Sequence, residues 1–240
     1  MEVHHHPHTE VKRLKHYLFE FFMLFLAVFC GFIAEYLLEH KIDKEKGMKY
    51  LHSFYEDLKT DTANFSSVIK EYEKKQAAFL KAKDCFDSIH SQLSSPHPCL
   101  ADLFRYAQSF PDLVNADQTL QQLKNAGGLR LLKDPDADSI LGYDKLLRDH
   151  MRRETTGFQD IQNKLRETIN HMINYKNLKS NEVPATSQFL YTTDPELLNY
   201  FFVSLDYYSN YCSINLQSIK EIKQKGISLI KYFKNKYHFD

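Results

Sequence analysis

The stretch Phe21-Phe-Met-Leu-Phe-Leu-Ala-Val-Phe-Cys-Gly-Phe-Ile-Ala34 contains no charged or strongly polar side chain. Extended to Tyr17 and Leu38, it is interrupted only by Glu20 and Glu35. About 20 apolar residues in a helix cross the hydrocarbon core of a bilayer. Both glutamates fall near the ends, where a carboxylate reaches water. At the centre a charge would cost roughly 2.5–3.5 kcal/mol. Tyr17 and Tyr36 stand where interfacial aromatic belts occur. These residues predict a transmembrane helix over 17–38, a polar tail over 1–16 and a second domain over 39–240. A buried core helix rarely needs so long an apolar run. Signal-peptide cleavage requires small residues at the last and third-last positions. Phe32 and Ile33 precede Ala34, and a helical pattern continues beyond it, so an uncleaved anchor is expected.

Lys12, Arg13 and Lys15 lie before the span, and Lys41, Lys44, Lys46 and Lys49 lie after it. Basic residues therefore almost balance, and the short basic tail points to a cytoplasmic N-terminus. In a bacterium this expectation places the anchor in the inner membrane and the following domain in the periplasm. Glu20, Leu24, Ala27, Gly31 and Glu35 form one helical stripe. Ala27 and Gly31, four apart, are a small-xxx-small pair of the kind that lets helices approach closely. The stripe is the expected interface with another copy or another membrane helix. A lone anchor with chance small residues is the alternative.

His4, His5, His6 and His8 crowd the tail. Neutral imidazoles of this kind bind transition metals. No Cys or second His pair completes a folded site, so a polar tail and a tag remnant stand beside the metal reading. No other cofactor is expected.

The string EVHHHPHTEVKRLKHYLFEFFMLFLAVFCGFIAE is followed by Tyr50-Leu-His-Ser-Phe-Tyr-Glu-Asp-Leu-Lys-Thr-Asp-Thr62 and by Leu123-Lys-Asn-Ala-Gly-Gly-Leu-Arg-Leu-Leu132. In this order the three blocks resemble an uncharacterised Bacteroidota family of single-span membrane proteins, with a His-rich N-terminal tail and a helical domain. The resemblance covers roughly residues 2–150. It implies that the histidines are native, and it carries no known activity, ligand or catalytic residue.

Beyond the span the periodicity is helical. Ile69, Tyr72, Gln76, Phe79, Lys83, Phe86, Ile89 and Leu93 step by three and four, so the first helix is expected to reach about residue 93, with a possible kink site at Gly47. Pro96 and Pro98 end it. Short helices are expected over 99–109 and from a cap at Asn115–Asp117 to Gly127-Gly128. Asp134-Pro135 opens a long helix to about 177, with a buried face at Ile140, Leu147, Met151, Phe158, Ile161, Leu165, Thr168, Met172 and Tyr175. After a loop at 179–184, Thr193-Asp194-Pro195-Glu196 starts the last helix. It carries Leu198, Phe201, Leu205, Tyr208, Cys212, Leu216, Ile219, Ile222, Ile230 and Phe233. The fold expected is all-α: a transmembrane helix continuing into an elongated antiparallel helical bundle. In it the 135–177 helix returns toward the membrane, the last helix runs out again, and the short helices cap the far end.

Thirty-one basic and thirty-one acidic side chains give no net charge, so nucleic acid is not an expected partner. Four Cys are too few for a disulfide scaffold, although Cys85 and Cys99 can pair in an oxidising compartment. The loop of about 15 residues closed that way would contribute roughly 3 kcal/mol. Two free thiols are the other reading. GxSxG, P-loop, HExxH and GxGxxG signatures are absent, and no enzyme is expected. Asp134, Asp136 and Asp138 read as helix-start residues rather than a calcium loop. Arg148, Arg152, Arg153 and His150 read as a solvated face. The lysine-rich stretch 220–236 reads as a solvated helix end, with weak contact to anionic lipid as the alternative. The aromatic cluster Tyr200-Phe-Phe with Tyr207, Tyr208 and Tyr211 exceeds the needs of one core stripe. Some of these rings suit a partner chain, and a helix buried on two sides would also use them. The sequence thus predicts an oligomeric, membrane-anchored bundle that works by protein–protein contact, with lipid and another copy or another membrane protein as partners. A ligand-sensing bundle that signals through a separate protein is the second reading.

Overall fold

A computed structural model describes residues 13–84, 113–174, 191–192 and 194–240. The chain divides into two compact units, Met1–Lys49 and Tyr50–Asp240. Helix α1, Arg13–Asp84, belongs to both, and its helical hydrogen bonding continues through Gly47.

In the first unit every described residue of the 17–38 stretch is exposed. Phe21, Phe25 and Phe29 stack at i, i+4 spacing, with ring centroids 6.4 and 6.0 Å apart. Among the described residues α1 is the one helix long and apolar enough, by length and composition, to cross a membrane.

The second unit adds α2 (Gln118–Asn125), a 3-10 turn (Gly128–Leu131), α3 (Asp134–Arg153), a π-helical segment (Glu154–Phe158), α4 (Gln159–Met172) and α5 (Pro195–Tyr237). No strand occurs among the described residues. The fold is all-α, as the periodicity predicts. Gly127, at φ 68°, takes the left-handed conformation that ends α2. Asp194 caps α5, accepting from the backbone N–H of Glu196 at 2.8 Å and of Leu197 at 3.2 Å. Asp117 precedes α2 but makes no side-chain cap bond. α4 stops at Met172, where Ile173 turns to extended backbone, earlier than the expected 177. The expected breaks at 94–98 and 179–184, the 99–109 helix and Cys85 with Cys99 lie outside the described residues.

Cross-helix bonds fix the directions. Tyr143 donates to Asp61 at 2.9 Å and Tyr72 donates to Glu154 at 3.0 Å, and both pairs are 82 residues apart. A constant offset means that α3 runs parallel to α1. Helix α5 runs antiparallel to α1, since Phe233 meets Phe54 and Tyr208 meets Phe79. This corrects the expected order, in which the 135–177 helix was the returning one. The physical reason lies at 113–131, which does not cap the far end. The Asn64 amide donates to the carbonyl of Val114, and Asp61 accepts from the N–H of Ala116 at 2.6 Å. Gly128 then packs against Leu123 and Tyr50, where a Cβ would come within 3.1 and 3.3 Å of them. The 113–131 segment therefore carries the chain back along α1 before α3 begins.

The core between these helices is aromatic and aliphatic. Phe54, Phe65, Tyr72 and Phe79 of α1, Tyr143 of α3, and Phe201, Tyr208 and Phe233 of α5 are almost wholly buried. Burying each large apolar side chain contributes about 1.5–3 kcal/mol, which outweighs weak intrinsic helix propensity.

Candidate functional site

The polar interior of the second unit centres on the π-helical segment, and its local sequence explains its shape. From His150 the inward positions run His150, Glu154, Phe158 and Gln162, four apart each time. In an α-helix a four-residue step overshoots the turn by about 40°. Three such steps would carry the last residue off the face. One wider turn at Glu154–Phe158 absorbs the excess. Two threonine hydroxyls bond back to carbonyls of the preceding turn. The Thr155 hydroxyl lies 3.1 Å from the Met151 carbonyl and 3.2 Å from that of Arg152, to which the Thr156 hydroxyl also donates at 2.7 Å. Gly157 is required by close approach, because a Cβ there would fall 1.9 Å from the Tyr211 hydroxyl oxygen. Phe158 then stacks on Tyr208, with centroids 5.0 Å apart.

This turn aims polar groups inward. His150 is fully buried, with Nδ1 3.2 Å from Ser218 Oγ on α5. Arg153 Nη2 donates to the same oxygen at 2.5 Å. Arginine only donates, so the Ser218 oxygen accepts from Arg153 while its contact with His150 Nδ1 joins the two side chains. His150 Nε2 faces Glu154 Oε1 at 3.5 Å. Glu154 in turn accepts from Tyr72 on α1. Burial, and then the adjacent Glu154 carboxylate, push the Tyr72 hydroxyl well above its ordinary value.

A chain of contacts therefore runs from Arg153 through Ser218, His150 and Glu154 to Tyr72, tying three helices together. Not every group in it is satisfied. His150 Nε2, Arg153 Nε and both amide atoms of Asn215 have no hydrogen-bond partner. Asn215 is fully buried and lies beside the Tyr72 hydroxyl without hydrogen-bond geometry. Each buried polar atom left so costs about 1–3 kcal/mol.

One turn further along α1, Lys75 is buried and donates to the Tyr208 hydroxyl at 3.1 Å. Burial pulls its ammonium down to about 8, with Cys212, Glu71 and Glu154 acting the other way. Burial pushes the Cys212 thiol up to about 12, so it is an inert core thiol at neutral pH.

A second polar anchor joins the start of α3 to the end of α5. Fully buried Asp136 accepts from Tyr232 at 2.8 Å, Lys236 at 2.6 Å and Tyr237 at 2.5 Å. Burial raises this carboxyl, but the three donors outweigh it and hold the group below its ordinary value. Asp136 stands in the first turn of α3, as expected, but its carboxylate makes no cap bond there and serves as a cross-helix anchor.

The sequence-predicted positions divide in two. Glu20, Leu24, Ala27, Gly31 and Glu35 all lie on described, exposed turns of α1, and nothing stands within 4 Å of a Cβ placed on Gly31. His4, His5, His6 and His8 fall outside the described residues. Among those described, no three His, Cys, Asp or Glu side chains gather in a way that could hold a metal ion.

The expected solvated face of α3 is corrected in part. Arg148 and Arg152 are exposed and pair with Asp144 and Asp149, whereas His150 and Arg153 turn inward. In the lysine-rich end of α5, Lys220 pairs with Glu73 and Lys236 with Asp136. Tyr200 and Tyr207 are exposed, while Phe201 and Tyr208 are buried.

The periodicity missed Lys75, His150, Asn215 and Gln162, because a search for apolar stripes passes over polar residues in core phase. The 4-4-4 spacing of His150, Glu154, Phe158 and Gln162 was the available signal. Comparison of the chain with protein-family models, curated proteins and solved structures finds no match in any of the three.

Proposed function

We propose that this protein is a single-pass, membrane-anchored helical-bundle protein that acts through protein–protein contact or assembly, as an oligomer. One observation carries the reading: the apolar 17–38 turns of α1 are exposed throughout. A contiguous apolar surface of that length needs lipid or another helix to cover it. The stripe of Glu20, Leu24, Ala27, Gly31 and Glu35 supplies the face for the second helix, and the Phe-rich faces meet lipid. The short basic tail before the span and the long domain after it support a cytoplasmic N-terminus, which in a bacterium means an inner-membrane anchor and a periplasmic bundle. The His-rich tail is left as a transition-metal candidate, and no enzymatic activity is proposed.

Membrane fractionation followed by cross-linking tests this reading. The full chain should stay with the membrane after alkaline extraction, and Gly31→Leu should lower the yield of cross-linked oligomer several-fold. Release by alkali, or an unchanged oligomer yield, would count against anchor or interface respectively. Labelling of a cysteine placed at Ser53 reads the orientation directly.

The buried polar cluster around Glu154 favours a second reading, a bundle that responds to a ligand and signals through a partner. Thermal shift of the full chain in detergent against a metabolite panel tests it. A flat response would weigh against it.

A further inference from the structure

We propose that Glu154–Phe158 is a register hinge: the helix from Asp134 to Met172 has a second state in which the extra residue leaves this turn and the two helical halves rotate against each other. Three observations meet at the segment. Few side-chain bonds pin the turn: the Thr155 and Thr156 hydroxyls on the exposed side and the Tyr72–Glu154 bond on the inner side. In the state that is seen, His150 Nε2, Arg153 Nε and the Asn215 amide are buried without hydrogen-bond partners, which taxes it. Gly157 puts bare backbone against Tyr211, so at this position no side chain of the turn is wedged against α5, and Phe158 is its one ring packed there.

Moving one residue out of the turn rotates one half of the helix by about 100° relative to the other. Glu154 and His150 cannot then both keep their contacts with Tyr72 and Ser218. The Tyr72 hydroxyl belongs to α1, so the grip of the bundle on α1 depends on the register at 154–158. Single π turns are frequent at functional positions for this reason: they store a one-residue shift inside an otherwise regular helix. The hinge is independent of the assembly reading, and its failure leaves that reading intact.

Hydrogen exchange on the full chain in detergent tests the hinge. Amides of 154–159 should open at least about tenfold more often than those of 143–149 and 165–169. Thr155→Ala with Thr156→Ala, which removes the two hydroxyls bonded back across the turn, should speed that opening. Asn215→Leu, which removes two unpartnered atoms, should slow it. Deletion of Thr155 takes out the extra residue. It should protect 154–159 as strongly as the flanking turns and speed exchange around Tyr72, which loses its carboxylate partner. If the deletion does not fold, the two substitutions still decide. Exchange of 154–159 at the flanking rate, unmoved by both, overturns the hinge.

Discussion

Lys75 reaches from α1 to the hydroxyl of Tyr208 on α5, a 3.1 Å bond made by a lysine that is 1 % exposed. A charged ammonium rarely survives such burial without cost. Its nitrogen sits 5.5 Å from the Tyr208 ring centroid, beyond the hydroxyl end of the ring, so it meets the hydroxyl oxygen and not the ring face.

The first prediction concerns pH. Burial lowers Lys75 from 10.5 to about 8, so between these values the unfolded chain holds a proton that the folded chain has released. Stability therefore rises with pH across that window. The buried tyrosines Tyr72, Tyr143 and Tyr208 are raised and act oppositely above 10. Denaturant titrations should place maximum stability near pH 9 to 10. Lys75→Met should gain about 1–2 kcal/mol at pH 6 to 7 and flatten the rise. A variant less stable than the parent at pH 6 would contradict this.

The Asp136 anchor predicts the acid limb. A carboxyl held below its ordinary 3.8 stabilises the fold above that value and loses the contribution as pH falls through the lowered one. Asp136→Asn should cost about 2–4 kcal/mol at pH 7, because Lys236 and two tyrosines lose their acceptor. The deficit should shrink below pH 4. Chemical denaturation at both pH values measures it.

Gly157→Ala should destabilise by about 1–3 kcal/mol, since its new methyl meets the Tyr211 hydroxyl. Tyr211→Phe should recover part of the loss, because the ring carbon beneath the hydroxyl would still lie 2.8 Å from that methyl. A double-mutant cycle reads the coupling, and strictly additive effects would show that the two residues do not clash.

Tyr72→Phe should cost about 1–2 kcal/mol by leaving Glu154 without its donor. A Tyr72→Phe, Glu154→Gln pair should lose less than the sum of the two single changes.

How much of this was legible in the sequence varies by element. Helix α5 was almost fully readable: Asp194-Pro195-Glu196 marks its start, and its predicted stripe is buried except at Ile230, where Leu229 takes the inner place. On α3 and α4 the reading held at Ile140, Leu147, Phe158 and Leu165 but slipped between them. Met151 is exposed and Ile161 only half-buried, while His150 and Gln162 occupy the core. The slips fall where a polar residue, His150 or Gln162, takes the core place beside an apolar neighbour, which a search for apolar residues passes over. On α1 the same search took Gln76 and Lys83, whereas Lys75 and Ala82 are buried. A lysine in core phase carries no apolar signal, and its placement depends on Tyr208, distant in the chain. The parallel course of α3 was not legible either, because it depends on how 113–131 lies against α1.

The offset between α1 and its partners has a consequence for how the chain is made. Tyr55 bonds the carbonyl of Asp240, 185 residues away, and Lys75 waits for Tyr208, 133 residues away. At about 5–20 residues per second, a ribosome needs roughly 10–30 s to deliver α5 after α1 has emerged. For that interval Phe54, Phe65 and Phe79 lack the surface that will cover them. The nascent chain therefore carries uncovered aromatic surface on α1 until α5 has been made, and α5 is the helix that closes this core.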